Sequence, residues 1–124
     1  MNSWTSHDAQ AITSPQEVQV ITRRSDGTPR AATTIWIVGD GDRVFIRSTN
    51  GRSAAWFRAA LASGAGQILA EGTAYDVAFT EADDDDLAGV DAAYRAKYGR
   101  YAAIVDPLEE EGPRAATLQV HPSN

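Results

Sequence analysis

The chain has no cysteine among its 124 residues. Disulfides, thiolate nucleophiles and cysteine-held metals are therefore excluded. No apolar run approaches the roughly 20 residues that a membrane helix needs, so no membrane association is expected. Basic charge is also scarce: Lys and Arg number 11 against 17 Asp and Glu, for a formal net charge of −6 and a pI near 4.7. A nucleic-acid binder would show a basic face, so none is expected. The first residues, Met1 to Asp8, have neither a basic stretch nor an apolar one and do not read as a signal peptide. Histidine occurs twice, as His7 and His121 near opposite ends, and neither sits in a motif with a serine or carboxylate. A hydrolytic triad is not expected. These absences describe a soluble, cytoplasmic protein without a familiar catalytic signature.

Hydrophobic residues make up 43% of the chain, enough for one domain with its own core. Residues 1–14 are polar and aperiodic and end at Ser14-Pro15. They read as a tail or docking segment, with Trp4 able to pack on the domain or on a partner subunit; residues 15–124 form the domain. Residues 17–22 alternate polar and apolar, the pattern of a half-buried strand. A turn at Ser25-Asp26-Gly27-Thr28-Pro29 leads to a second strand over 33–38, and Gly39-Asp40-Gly41-Asp42 turns the chain into a third over 43–48.

A helix is predicted over about 53–62, with Ser53 as N-cap and glycines 64 and 66 ending it. Two further strands, 67–70 and 74–79, form a hairpin across Glu71-Gly72-Thr73. Thr80-Glu81-Ala82-Asp83 resembles a capping box for a second helix over about 83–97, whose Leu87, Val90 and Tyr94 share a stripe. Residues 107–113 read as an acidic loop and 115–120 as the last strand. Six short strands joined mostly by hairpins suggest a small barrel or a strongly curled sheet.

The segment Arg47-Ser48-Thr49-Asn50-Gly51-Arg52-Ser53 leaves a strand and enters a helix. It gathers two guanidinium forks, several hydroxyls and free amide N–H groups, which suit a phosphate or another anion. The same composition also suits a polar turn whose arginines pair with surface carboxylates. Trp36, Trp56, Phe57, Tyr75 and Tyr94 can stack on a planar ring, or simply fill the core; Trp56 and Phe57 follow the helix stripe. The run Asp83-Asp84-Asp85-Asp86 has neither the alternate spacing nor the glycine of a calcium loop, so it reads as helix capping with no metal. Tyr98 reads as structural, its ring packed and its hydroxyl wet.

Thr34-Ile35-Trp36-Ile37-Val38, Asp42-Arg43-Val44-Phe45-Ile46-Arg47-Ser48 and Gly51-Arg52-Ser53-Ala54-Ala55-Trp56-Phe57-Arg58 together resemble the pyridoxamine-phosphate-oxidase-like split barrel. With Asp91-Ala92-Ala93-Tyr94-Arg95-Ala96-Lys97-Tyr98-Gly99 added, the chain is similar to an uncharacterised bacterial family of that superfamily, over about residues 17–120. The resemblance implies a mainly β fold with two helices, a six-stranded antiparallel split β-barrel. It also implies a homodimer with FMN or deazaflavin bound near the dimer interface. The positions matching the cofactor-phosphate contacts are Arg47, Ser48, Thr49, Arg52 and Ser53; where many flavin-binding members carry lysine, this chain carries Arg52. The function so implied is a flavin- or deazaflavin-dependent oxidoreductase acting on a small molecule, with no catalytic residue identifiable. The alternative is a non-catalytic barrel that binds a small anionic ligand or a protein partner.

Overall fold

The computed structural model describes residues 3–123, apart from the side chains of Ala102 and Ile104. In chain order the elements are α1 (Ser6–Thr13), β1 (Val18–Thr22), β2 (Thr33–Ile35), β3 (Ile37–Asp40), β4 (Arg43–Arg47), α2 (Ala55–Ser63), β5 (Ala65–Ala70), β6 (Thr73–Glu81), α3 (Leu87–Tyr98), α4 (Ala102–Leu108), α5 (Glu111–Arg114) and β7 (Thr117–Pro122). All strand pairs are antiparallel, in the order β2-β1-β5-β6-β7-β4-β3. The two edge strands, β2 and β3, are consecutive in sequence and separated by Trp36 alone. The sheet therefore curls until its edges meet through the covalent chain. Full closure is how an antiparallel sheet removes exposed edges.

The fold is the split barrel expected, with one strand more. The predicted strand 33–38 breaks at Trp36, and its halves serve opposite edges: Ile35 pairs with Val18 of β1, Ile37 with Ile46 of β4. Gly66 permits the close approach of β5 to β1, since a Cβ there would stand 2.4 Å from the Ile21 carbonyl oxygen. Gly64 ends α2 in the left-handed conformation, φ 70°.

Inward-facing residues such as Val20, Ile37, Val44, Ile46, Ile68 and Leu118 form the main core, with Phe57 and Ala60 of α2 packed into it. The alternate residues of the same wall, Val38 and Phe45, face outward into a second core with Val90, Tyr94, Tyr98, Val105 and Leu108 from α3 and α4. Period-two alternation thus feeds two cores from one strand pair. No helix of the described residues is long and apolar enough to cross a membrane.

Several local expectations are corrected. Residues 107–113 are not an acidic loop; they belong to the end of α4 and to α5. Pro113 is tolerated in the first turn of α5, where a backbone N–H would find no helical partner. Ser53 is not the N-cap of α2: it ends a 3-10 turn, its hydroxyl donates to the Asn50 carbonyl, and Ala54 takes the cap position. Thr80 forms no capping box, because β6 runs on through Glu81 and Thr80 Oγ1 meets His121 Nε2 at 2.8 Å. The aspartates 84–86 form a 3-10 turn ahead of α3, and Asp86 receives both guanidinium nitrogens of Arg43, at 2.9 and 2.6 Å.

The segment ahead of Pro15 contains α1, capped by Thr5 Oγ1 accepting from the Asp8 amide, with Ile12 fully buried. Trp4 is 7% exposed, and its indole N–H donates to the Val120 carbonyl at 2.7 Å. At the other end of α1, Lys97 Nζ donates to the carbonyls of Thr13, Pro15 and Ile37 at 2.6, 2.7 and 2.7 Å. All three ammonium protons are used. Burial pushes the Lys97 pKa down to about 8, which still leaves it charged at neutral pH. The neighbouring Tyr98 hydroxyl is buried rather than wet. It donates to the Gln16 carbonyl at 2.6 Å and accepts from the Ile37 N–H at 3.3 Å. Replacing Lys97 by Met keeps the stem and strands three carbonyls. At about 1–3 kcal/mol for a lost buried partner, Lys97→Met should cost roughly 2–4 kcal/mol in urea unfolding, with the midpoint shifting and the slope unchanged.

Candidate ligand cleft at the strand break

Trp36 sits where β2 gives way to β3. The Lys97 and Tyr98 side chains bond the main chain of Ile37 beside it, and its indole lies flat on the Tyr98 ring, with centroids 3.9 Å apart and planes 5° from parallel. The exposed side of this stack opens on a cleft of about 490 Å³. Trp36, Trp56, Tyr94 and Tyr101 provide aromatic wall, while Arg47, Thr49 and Asn50 come from the end of β4 and the loop after it. Gln16 and Glu17 close the rim from the segment that Lys97 and Tyr98 hold.

Arg47 is the buried charge of this site, its side chain fully excluded from solvent. Nε donates to Thr117 Oγ1 at 2.7 Å, and Nη1 donates to Asp91 Oδ1 at 2.5 Å and to the Leu108 carbonyl at 3.0 Å. Asp91 also faces Arg114, whose Nε stands 3.0 Å from Oδ2 as an ion pair lacking hydrogen-bond alignment. Arg47 Nη2, the Ser48 hydroxyl and the Tyr94 hydroxyl are buried with no hydrogen-bond partner among the described residues. Native proteins rarely leave such groups unmet, because each costs about 1–3 kcal/mol. Arg47 and Tyr94 both border the cleft, and the guanidinium carbon lies 5.5 Å from the Tyr94 ring centre.

Of the residues proposed from sequence as a phosphate cradle, Arg47 and Thr49 border the cleft, and Ser48 is buried at 1% exposure. Arg52 and Ser53 are not among its lining residues. Arg52 donates to Glu81 at 2.6 Å and to the Ala115 carbonyl at 2.8 Å, with its guanidinium over Phe57. Asn50 and Asp91 lay within the segments read as a cradle and a family motif without being named as site residues, and Tyr101 was not read at all. Asp91 lies three residues before Tyr94 on one helix face, which was a readable hint; Tyr101, beyond the end of α3, gave no signal.

The fold is a split barrel of the kind seen in pyridoxamine-phosphate-oxidase-like structures. The chain belongs to a family described as an uncharacterized protein conserved in bacteria (DUF2255), which matches residues 8–120. Similar solved structures include a putative pyridoxamine 5′-phosphate oxidase from Listeria innocua, with TM-score 0.65, 10% identity and coverage of 95% of this chain and 92% of that one. The heme storage protein HutZ from Vibrio cholerae has TM-score 0.64 and 13% identity, covering 100% and 92%. An FAD-binding protein from Mesorhizobium loti has TM-score 0.56 and 13% identity, covering 99% and 93%. The curated proteins contain no significant match to the sequence.

Burial raises the pKa of Tyr94 well above the ordinary phenol value and that of Tyr98 to about 12. Between pH 10 and 12 the folded chain therefore holds protons that the unfolded chain has released, so stability falls as pH rises through that window. In an ultraviolet titration of tyrosinate, Tyr94 and Tyr98 should stay un-ionised until the protein unfolds. Smooth ionisation of all four tyrosines with the fold intact would contradict this.

Proposed function

We propose that the protein binds a flavin-type cofactor, FMN or deazaflavin, in the Trp36–Tyr94 cleft and acts as an oxidoreductase on a small molecule. The observation that carries this reading is an aromatic-walled cleft of about 490 Å³ with buried donors awaiting acceptors. Its volume falls in the range of roughly 300–1,000 Å³ usual for ligand sites. Relatives of the same fold include one named as FAD-binding and one named as a putative oxidase.

The residues present fit such a group. Trp36, immobilised by Tyr98, offers a flat face for a ring system. Thr49 and Asn50 offer polar groups at the mouth for a phosphate. Arg52 joins them on leaving both Glu81 and the Ala115 carbonyl. The Glu81 pair is 48% and 52% exposed and is worth at most about 1 kcal/mol, and the Ala115 bond adds the roughly 1 kcal/mol of an ordinary hydrogen bond. When bound, the cofactor supplies the hydride or electron chemistry, and the chain binds, orients and shields it from water. We further propose that the active form is a cytoplasmic homodimer with the cleft near the subunit interface. A second reading, a non-catalytic barrel for a small anionic ligand, is favoured by the position of Arg52, whose charge is turned toward Glu81 and Ala115 rather than the cleft.

The test is retention of absorbance after incubation with FMN or deazaflavin and gel filtration, with heme as a comparison. Wild type should retain one flavin. Trp36→Ala and Arg52→Ala should each weaken it about tenfold or more, the arginine through a charge-assisted bond of about 1.5–3 kcal/mol. Sedimentation should give twice the 13.3 kDa chain mass. A folded protein that retains neither flavin ends the oxidoreductase reading, and a monomer at all concentrations ends the dimer.

A further inference from the structure

We infer that Arg47 and Tyr94 form a seat for a carboxylate monoanion, so that the substrate class is a small organic acid. This rests on the cleft being a ligand site and goes beyond it by naming what the site selects. The argument begins with charge. Arg47 and Arg114 share one carboxylate, Asp91, which receives Nη1 of the first on Oδ1 and faces Nε of the second through Oδ2. Two permanent cations against one anion leave one positive charge. Arg114 is partly solvated at 36% exposure, whereas Arg47 is fully buried. A buried charge is costly unless paired and hydrogen-bonded.

Geometry then singles out one atom. Thr117 Oγ1 takes Nε, while Asp91 and the Leu108 carbonyl take Nη1. With the guanidinium held at those two nitrogens, Nη2 is the nitrogen left without a partner. The Tyr94 hydroxyl is the second unmet buried donor on the same cleft wall, kept protonated by its burial. The Arg47 guanidinium carbon lies 5.5 Å from the Tyr94 ring centre, so a guanidinium N–H and a phenol O–H come from neighbouring residues, a pair suited to the two oxygens of a carboxylate. A phosphate dianion suits the seat less well. The local surplus is one charge, and Glu17 on the cleft rim opposes a second negative charge.

The full-length protein should be titrated calorimetrically with benzoate, with its neutral counterpart benzamide and with inorganic phosphate, each with and without FMN. Wild type should bind benzoate at least tenfold more tightly than benzamide, and phosphate should not displace it. Tyr94→Phe should weaken benzoate about tenfold and leave benzamide unchanged. Because the proton of the hydroxyl removed has no acceptor in the fold, the melting temperature of Tyr94→Phe should hold or rise, which a purely structural role would not give. Arg47→Lys should also lose benzoate, but its buried network makes Tyr94→Phe the decisive variant. Equal affinity for benzoate and benzamide, or full benzoate affinity in Tyr94→Phe, overturns the inference. So does displacement of benzoate by phosphate, or a loss in Tyr94→Phe of FMN affinity but not riboflavin affinity, since either gives the seat to a phosphate. Selective benzoate binding by a protein that holds no flavin supports the seat while removing the flavin reading.

Discussion

One ammonium group ties together three stretches of chain that the barrel alone would not hold. Lys97, near the end of α3, donates to carbonyls at the end of α1, at Pro15 and at the first residue of β3. Surface ion pairs such as Arg52–Glu81 and Arg95–Asp106 are exposed on both sides and contribute at most about 1 kcal/mol each. Lys97 is different in kind. Its partners are main-chain oxygens that water reaches poorly, so its removal strands acceptors instead of returning them to solvent. The cation also lies just beyond the C-terminal turn of α1, where the helix dipole favours positive charge.

The consequences run outward from that point. Ile37 is held from the helix side by Lys97 and Tyr98, while its ladder partner is Ile46 on β4. The preceding residue does not continue the same strand, and Ile35 pairs with β1 instead. Trp36 occupies the break and lies against Tyr98. The same tyrosine binds the Gln16 carbonyl, and Gln16 and Glu17 form the cleft rim. Barrel closure, docking of α1 and the shape of the cleft thus share one pair of adjacent residues. The pair sits within the helix segment 91–99 that gave the sequence its most specific family likeness.

Strands were legible wherever a residue's environment follows from its neighbours. Residues 17–22 and 74–79 alternate because one face of each meets a core, 43–48 carries a continuous apolar run because both its faces do, and Asp-Gly or Glu-Gly turns mark their ends. The break at Trp36 was hidden, since Thr34-Ile35-Trp36-Ile37-Val38 carries only good strand formers, and the side chain that meets the chain there, Tyr98 on the Ile37 amide, lies 61 positions after Ile37. Helices α4 and α5 were masked by Pro107, Gly112 and Pro113, poor helix formers by local preference; in α4 that preference is overridden where Val105 and Leu108 find apolar partners in α3. At the site, sequence reasoning located the loop but not the direction of its side chains. An arginine at a strand end normally faces water. Arg47 is buried because Asp91, Leu108 and Thr117 converge on it from three later elements.

That convergence sets a tension between stability and binding. If Arg47 existed only to pin α3 and β7 to β4, all its nitrogens would be expected to find partners, as buried polar groups usually do. It is held at Nε and Nη1 and left open at Nη2, beside a tyrosine whose hydroxyl is equally unmet. An apolar residue of similar volume in place of a buried ion pair is often no less stable, so the fold alone does not call for this arrangement. Fixing two of the three nitrogens removes the guanidinium's freedom before any ligand arrives, which lowers the ordering cost of binding. The unmet donors are thus the part of the site that folding leaves unused, and they belong to two residues that line the cleft shaped by the Lys97–Tyr98 clamp.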